Sequence, residues 1–456
     1  MNTLHIFDSV KKEKVEFKPI QERKVKIYVC GPTVYDDSHL GHARSAIAFD
    51  LLHMTKNFTD IDDKIIKKMY ETNKTLEDIT NQYINAYKAD MKALNILDNT
   101  IEPKATENLE VMKEMISNLI SKDVAYKTSD SVYFDTSKDN LYGTLSHKSN
   151  DENSQARVEE NQEKRNSADF ALWKFEKAND VSFDAPFGKG RPGWHIECSA
   201  MIEKHLAYKD SPYQIDIHAG GADLLFPHHE NEAAQTRCSS GQNLAKYWMH
   251  NGFVNINGEK MSKSLGNSFF LKDVLKSYSG EVIRFYLMST HYRADLSFNE
   301  EDLIASKKRL DKIYRLKKRV YGVENSSVNK KFKEDILNAL NDDINTSIAL
   351  SVIDEMINSA NDKLDSNPKD KNLKKELISN INFIEEVLGI GGNDAYAYFQ
   401  FGIDESTKEK IEDLILKRNE AKKAKDFQTA DKLRDELSSI DISLMDTVNG
   451  TVWEKL

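Results

Sequence analysis

Cysteine is scarce in this chain, three residues in 456, and so few thiols exclude a disulfide framework for a protein of this length. They read instead as free thiols or metal ligands in a reducing compartment. Long apolar runs are missing too: nothing approaches the ~20 consecutive apolar residues that cross a bilayer, and mean hydropathy is -0.61. The opening MNTLHIFDSVKKEKVEF has no apolar core of the kind a signal peptide carries, so a cytoplasmic location with no membrane attachment is expected. An excess of positive charge is also lacking. The net charge of -10 and isoelectric point near 5.7 weigh against a general basic surface for nucleic acid, although residues 307–319, KKRLDKIYRLKKR, are strongly basic. No internal repeat is present. What is there is 39% hydrophobic and 30% charged, the balance of a globular protein, in a chain long enough for two or three domains.

Residues 25–44, VKIYVCGPTVYDDSHLGHAR, read as a strand that breaks at Gly31-Pro32 and leads into a helix. Val25, Ile27 and Val29 alternate with Lys26, Tyr28 and Cys30, and from Gly41 the positions Ala43, Ala46, Ile47 and Leu51 recur at helical spacing. His39 and His42 therefore fall in the helix's first turn, among its unpaired N–H groups, where anions bind. Some two hundred residues later, NGEKMSKSLG (257–266) places Lys260 and Lys263 around small hydroxyl residues after an Asn-Gly turn, a mobile cationic loop too polar for a core. His228 and Glu232, in PHHENE, are four apart and share one face of a helix, so both can reach one ion.

Two helices are predicted within 75–122, a hairpin over 125–135, a polar surface stretch over 146–168, strands at 169–175 and 213–221, and helices beyond about 270. Asn-Pro-Lys-Asp at 367–370 and GIGGN at 389–393 read as helix–helix connections. Strands alternating with helices in the N-terminal half imply a doubly wound parallel sheet, with ligands beyond the carboxyl ends of its strands.

HLGH followed by KMSKS is the paired signature of class I aminoacyl-tRNA synthetases. PTVYDDSHLGHAR, NFTDIDDK, GRPGWHIECSAM, DLLFPHHENE and GEKMSKSLGN then stand in the order seen in the cysteinyl-tRNA synthetase family, which the chain resembles over essentially its whole length. DDINT (342–346), KDFQTADKLRDEL (425–437) and DTVNGTVWEKL (446–456) resemble that family's C-terminal segments. The resemblance implies an α/β, Rossmann-like doubly wound catalytic domain over 1–265 with an inserted connective segment at about 115–170. A stem-contact region follows over 266–305, then a helical bundle over 306–395 and an anticodon-binding segment over 396–456. One departure concerns MTKNFTDIDDK, where no apolar run fills the place of the second parallel strand. Either the nucleotide fold is shortened or roughly ten residues are left out between Leu52 and Asn57. Omission is the expectation, because losing a central strand would expose two ladder edges.

By the same resemblance, Cys30, Cys198, His228 and Glu232 hold one zinc ion per chain, a donor set whose thiolates disfavour magnesium or calcium. Cys238 matches no ligand position and reads as packing, while His229 and Glu230 are expected to orient the ligands. Cys30, Thr59, Trp194 and His218 would surround a bound cysteine. The family's HGGG stands here as His218-Ala219-Gly220-Gly221, which puts one close backbone approach in question. Thr33, His39, Gly41, His42 and Lys263 would bind ATP with its Mg2+, and His39, His42, Lys260 and Lys263 would assist phosphoryl-site chemistry. Arg434, Asp446 and Trp453 would contact anticodon bases of tRNA(Cys), and 307–319 its backbone. The implied activity is cysteine–tRNA ligation by a monomer. Two rival readings are an ATP-dependent cysteine ligase acting on an amino sugar, which lacks the C-terminal segments, and an inactive tRNA-binding paralogue, which would not need intact HLGH and KMSKS.

Overall fold

A computed structural model of the chain describes residues 3–52, 54–147, 163–256, 259–260, 269–447 and 450–455. Most of the polar stretch expected at 146–168 and most of the KMSKS segment lie outside the described residues. Two compact units emerge, one of residues 1–272, 287–299 and 337–349, the other of 273–286, 300–336 and 350–456.

The first unit is organised by a parallel sheet: β1 (Ile27–Val29), α1 (Leu40–Asp50), β2 (Thr55–Lys56), α2 (Trp194–His205), β3 (Tyr213–Gly221), α3 (Glu230–Ser240) and β4 (Asn243–Asn251), with strand order β4-β3-β1-β2. Tyr28 stands opposite His218 on one side and Thr55 on the other. Both sheet faces are covered, as parallel strands require. Val29, Ala219 and Met249 pack with Phe49 of α1, while Tyr28, Cys30 and Trp248 pack with Cys198 and Ile202 of α2 and Ala233 of α3. Alternation along β3 thus turns the methyl of Ala219 into the α1-side core and His218 to the other face. The Ala-for-Gly departure falls on the far side of the sheet from His218.

The second parallel strand is not lost. Thr55 and Lys56 pair with Tyr28 and Val29, but for two residues only, and the position is the sheet's edge rather than its centre. Nor is that edge bare. Lys56 N–H donates to the Ile101 carbonyl, Phe58 N–H to Pro103, Thr100 N–H to Met54 and Ala105 N–H to Phe58, so residues 100–105 cover it. The concern about exposed ladder groups is met by a neighbouring stretch of chain rather than by a longer strand.

The inserted segment folds as an antiparallel sheet of Ala125–Lys127, Ser131–Phe134, Phe170–Phe175 and Gly190–Pro192, so it continues beyond 170. Phe134 and Trp173 of this sheet share a core with Ile196 and Met201 of α2. The predicted helices within 75–122 are Leu76–Ala93 and Leu109–Ser121. In the second unit, helices Glu300–Arg319, Lys371–Leu388, Glu405–Lys423 and Phe427–Ser439 precede a hairpin of Ile442–Thr447 with Gly450–Lys455. Gly389 ends helix Lys371–Leu388 at φ 66°, a left-handed conformation that glycine adopts freely, which is why GIGGN marks a connection. No helix among the described residues is long and apolar enough to cross a membrane.

Candidate active site and metal centre

β1 delivers Cys30 at its carboxyl end, and α1 begins ten residues later with a cap made by two histidines. His39 Nδ1 accepts the Gly41 N–H at 3.1 Å, and His42 Nδ1 accepts the His39 N–H at 3.2 Å. The two rings stack with centroids 3.8 Å apart. An imidazole that accepts at Nδ1 carries its proton, when neutral, on Nε2, so the pair presents N–H donors beside the helix N-terminus. A Cβ at Gly41 would lie 2.9 Å from His39 Cε1, so any larger residue would displace the capping ring. Thr33, half-buried, bridges to Thr59 across the next stretch of chain. Glu259–Lys260 forms a short strand antiparallel to Val254–Ile256, and Lys263 lies outside the described residues.

The four metal candidates converge. Cys30 Sγ lies 3.8 Å from Cys198 Sγ and 3.6 Å from Glu232 Oε1, while His228 Nε2 lies 3.7 Å from Cys198 Sγ and 2.7 Å from Glu232 Oε1. All four are buried. Two sulfurs bound tetrahedrally at about 2.3 Å to zinc would stand about 3.8 Å apart, which is the separation found, and two thiols, an imidazole and a carboxylate are a zinc-type donor set. The residues therefore fit the ion. A second set, Cys30, His218, His229 and Glu232, clusters as closely and shares two members with the first.

Electrostatics in the cluster follow from burial and from its internal contacts. Burial and the neighbouring Cys198 push the Cys30 thiol up, whereas the hydrogen bond with Cys30 brings Cys198 down to about 6 against the effect of burial. Burial opposes a charge on His228, but Glu232 and Cys198 carry it up to about 10. Burial likewise opposes ionisation of Glu232, yet His228 and His218 hold it well below the usual carboxylate range.

Around this centre, His218 lies between the Tyr28 carbonyl, at 3.1 Å, and Glu232 Oε2, at 2.7 Å. Trp194 stacks on His228 at 4.0 Å and keeps 38% of its surface exposed. The residue that meets the outer nitrogen of His228 is His195, Nδ1 to Nδ1 at 3.0 Å. His229 Nε2 stands 3.4 Å from Cys30 Sγ while its Nδ1 meets His250 at 2.8 Å, and Glu230 accepts the Ser146 N–H, so His229 touches the candidate ligand Cys30, whereas His228 is met by His195 rather than by either of these two. His195 is three residues before Cys198 on α2, a helical spacing that could have flagged it. Thr59, buried, donates its hydroxyl to Glu197 Oε2 at 2.9 Å. Burial, then Cys198, push the Glu197 carboxyl well up; sequence reasoning passed over this residue. Cys238 is half-buried and its carbonyl accepts from Lys122, in keeping with packing.

The expected RNA contacts fare unevenly. Arg434 is exposed on helix Phe427–Ser439. Asp446 accepts Arg418 at 2.9 and 3.0 Å and Lys422 at 2.8 Å. Trp453 is 2% exposed, packs with Ile411, Ile415, Leu437 and Ile442, and donates its indole N–H to Glu412; with its faces taken by the core, it offers no stacking surface. Phe427, 62% exposed, does. In the basic stretch, Lys307, Arg309, Lys318 and Arg319 pair with Asp311, Asp354, Glu454 and Asp365, and Lys317 donates to the Gly391 and Asn393 carbonyls. Much of that charge is consumed inside the protein.

The family described as tRNA synthetases class I (C) catalytic domain matches residues 16–308, and the DALR domain matches residues 336–391. A cysteine–tRNA ligase of Aliarcobacter butzleri is 96% identical over 467 aligned positions that cover the whole of both chains. Against the 456 residues here, that relative has at least 11 positions without a counterpart, which matches in size the deficit read around Leu52 to Asn57. A cysteine–tRNA ligase of Nitratiruptor sp. is 64% identical, covering 99% of this chain and all of its own. Among solved structures, a Mycobacterium tuberculosis methionyl-tRNA synthetase bound by methionyl-adenylate is similar with TM-score 0.60 at 13% identity, over 80% of this chain and 92% of that one, a likeness of fold.

Proposed function

The chain belongs to the cysteine–tRNA ligase family of class I aminoacyl-tRNA synthetases, and from that membership we propose how its residues divide the work. The enzyme joins L-cysteine to ATP as cysteinyl-adenylate, releasing pyrophosphate, and passes the cysteinyl group to the 3'-terminal adenosine of tRNA(Cys). Neither an amino-sugar acceptor nor an inactive role finds support beside relatives that match to the C-terminus.

In the first step the cysteine carboxylate attacks the α-phosphate in line, so no covalent protein nucleophile is required and the protein's task is positioning and charge stabilisation. His39 and His42, each donating through Nε2–H, and the N-terminus of α1 receive phosphate oxygens, with Thr33 and Gly41 beside them. Lys260 and Lys263 bring positive charge to the transferring group, and Mg2+ accompanies the triphosphate. Thr59, Trp194 and His218 enclose the amino acid. Cys30, Cys198, His228 and Glu232 hold zinc, which when bound takes a substrate thiolate in preference to a hydroxyl and so discriminates cysteine from serine where shape alone gives only about a hundredfold. On the RNA side, Arg434 and Phe427 offer edge and stacking contacts, with Asp446 held in place by Arg418, while Lys308, Lys312 and Arg315 are the exposed cations left on 307–319 for the backbone. A cytoplasmic monomer is the working form we propose.

The observation that carries this reading is the preformed tetrad at the carboxyl end of β1, with a sulfur separation suited to zinc. Cysteine-dependent ATP–pyrophosphate exchange followed by aminoacylation of tRNA(Cys) tests it. Exchange with cysteine and not with serine at equal concentration is expected. Equal exchange with both would overturn the assignment of selectivity to the tetrad.

A further inference from the structure

Glu197 is a fully buried carboxyl with no place in either metal-type cluster. It precedes Cys198 on α2, its Oε2 accepts the Thr59 hydroxyl at 2.9 Å, and its Oε1 has no hydrogen-bond partner among the described residues. No cation pairs with it among the described residues. A buried carboxyl lacking both a cation and a partner for one oxygen is costly, and such groups point to a ligand that supplies what is missing.

The chemistry of Thr59 says which ligand. A threonine hydroxyl has one proton; given to Glu197, it leaves only lone pairs on the remaining side of the oxygen. Thr59 lies two residues past Asn57, whose side chain accepts the Gly31 N–H at 2.8 Å, and Gly31 follows Cys30. The acceptor is therefore built beside the thiol end of the site. Of the groups on a free amino acid, only the α-ammonium is both a cation and an N–H donor.

Resting on the reading of Thr59 as a cysteine-binding residue, we infer that Glu197 is a positioning residue that fixes the Thr59 hydroxyl as an acceptor for the substrate's α-ammonium. The amino acid would then be held at both ends, sulfur towards Cys30 and Cys198 and ammonium towards Thr59 and Glu197, with its carboxylate free for the phosphate.

The test is Glu197→Gln in the zinc-loaded enzyme, read by cysteine-dependent ATP–pyrophosphate exchange with two competitors: cysteamine, which keeps thiol and ammonium, and 3-mercaptopropionate, which keeps the thiol and lacks the ammonium. The KM for cysteine and the Ki for cysteamine should each rise about tenfold or more, as loss of a charge-assisted contact implies, while the Ki for 3-mercaptopropionate, the KM for ATP and the zinc content stay as in the parent. Glu197→Asp, which keeps the carboxyl, should recover part of the loss. A common rise for all three thiol ligands, or no rise for any, would overturn the inference and leave Glu197 a packing residue. Should Glu197→Gln fail to fold, Thr59→Val addresses the same contact and must show the same split between cysteamine and 3-mercaptopropionate; equal weakening there overturns the inference as well. A parent enzyme without cysteine-dependent exchange would instead defeat the underlying reading of the activity, before any variant is compared.

Discussion

Gly31 is the tightest point of the site. A Cβ added there would sit 1.6 Å from the Asn57 carbonyl oxygen and 2.7 Å from its carbon, backbone atoms that cannot rotate away. Since comfortable contact begins near about 3.4 Å, Gly31→Ala requires the chain at Gly31 or at Asn57 to move by about 1.5–2 Å. The movement would break the Gly31 N–H to Asn57 Oδ1 bond. It would also carry Cys30 on one side or Thr59 on the other. Overpacking of this kind costs about 1–3 kcal/mol, and the lost buried hydrogen bond about 1 kcal/mol more. Misplacement of a binding group by about 1 Å costs on the order of a hundredfold in rate. We therefore expect a melting temperature several degrees lower and a kcat/KM for cysteine reduced about a hundredfold in exchange, with the ATP terms less affected. Thermal unfolding and pyrophosphate exchange on the same preparation measure both. A variant that melts with the parent and turns over cysteine within about threefold of it would refute the close-approach reasoning.

The two donor clusters share Cys30 and Glu232, so after exhaustive dialysis Cys30→Ser and Glu232→Gln should retain less zinc than Cys198→Ser, which leaves the second set whole; metal analysis showing the opposite order would contradict this. Asp90, on helix Leu76–Ala93, is pushed up to about 6 by burial and the nearby Asp37, from an ordinary value of 3.8. Because the folded value lies above the unfolded one, the favourable contribution is present below about pH 4 and lost as pH rises through about 6, reaching about 3 kcal/mol of penalty for the charged form. Asp90→Asn should accordingly raise the melting temperature more at pH 8 than at pH 5, and an equal gain at both would exclude the titration of Asp90 as its cause. Phe427→Ala should weaken tRNA(Cys) binding about tenfold, as loss of one stacked base does, without changing adenylate formation; an unchanged affinity would remove Phe427 from the RNA surface.

How much of this was legible beforehand depended on range along the chain. The break at Gly31-Pro32, the start of α1 near His39 and the His228–Glu232 face are local patterns, and local periodicity and turn residues found them. The meeting of Cys30 with Cys198, 168 residues apart, has no local signature; family resemblance supplied it, and the parallel sheet explains it. β2 escaped notice because two residues, Thr55 and Lys56, carry no alternation to detect, and its cover by residues 100–105 is a tertiary event. His195 and Glu197 were missed because α2 is buried over most of its length, so no amphipathic stripe separates its functional positions from its packing ones. The basic stretch at 307–319 was legible as charge but not as surface. A run of charge in sequence says nothing of its partners, and Asp311, Asp354, Glu454 and Asp365 neutralise much of it.

Selection of cysteine by the metal rather than by pocket shape is tested most directly by spectroscopy of the cobalt-substituted enzyme. With Cys30, Cys198, His228 and Glu232 as protein ligands, saturating cysteine should perturb the visible bands as a further thiolate reaches the ion, and serine at the same concentration should leave them unchanged. An unaltered spectrum on saturation with cysteine, in cobalt enzyme shown to be active, would contradict the account and return selection to the shape of the pocket.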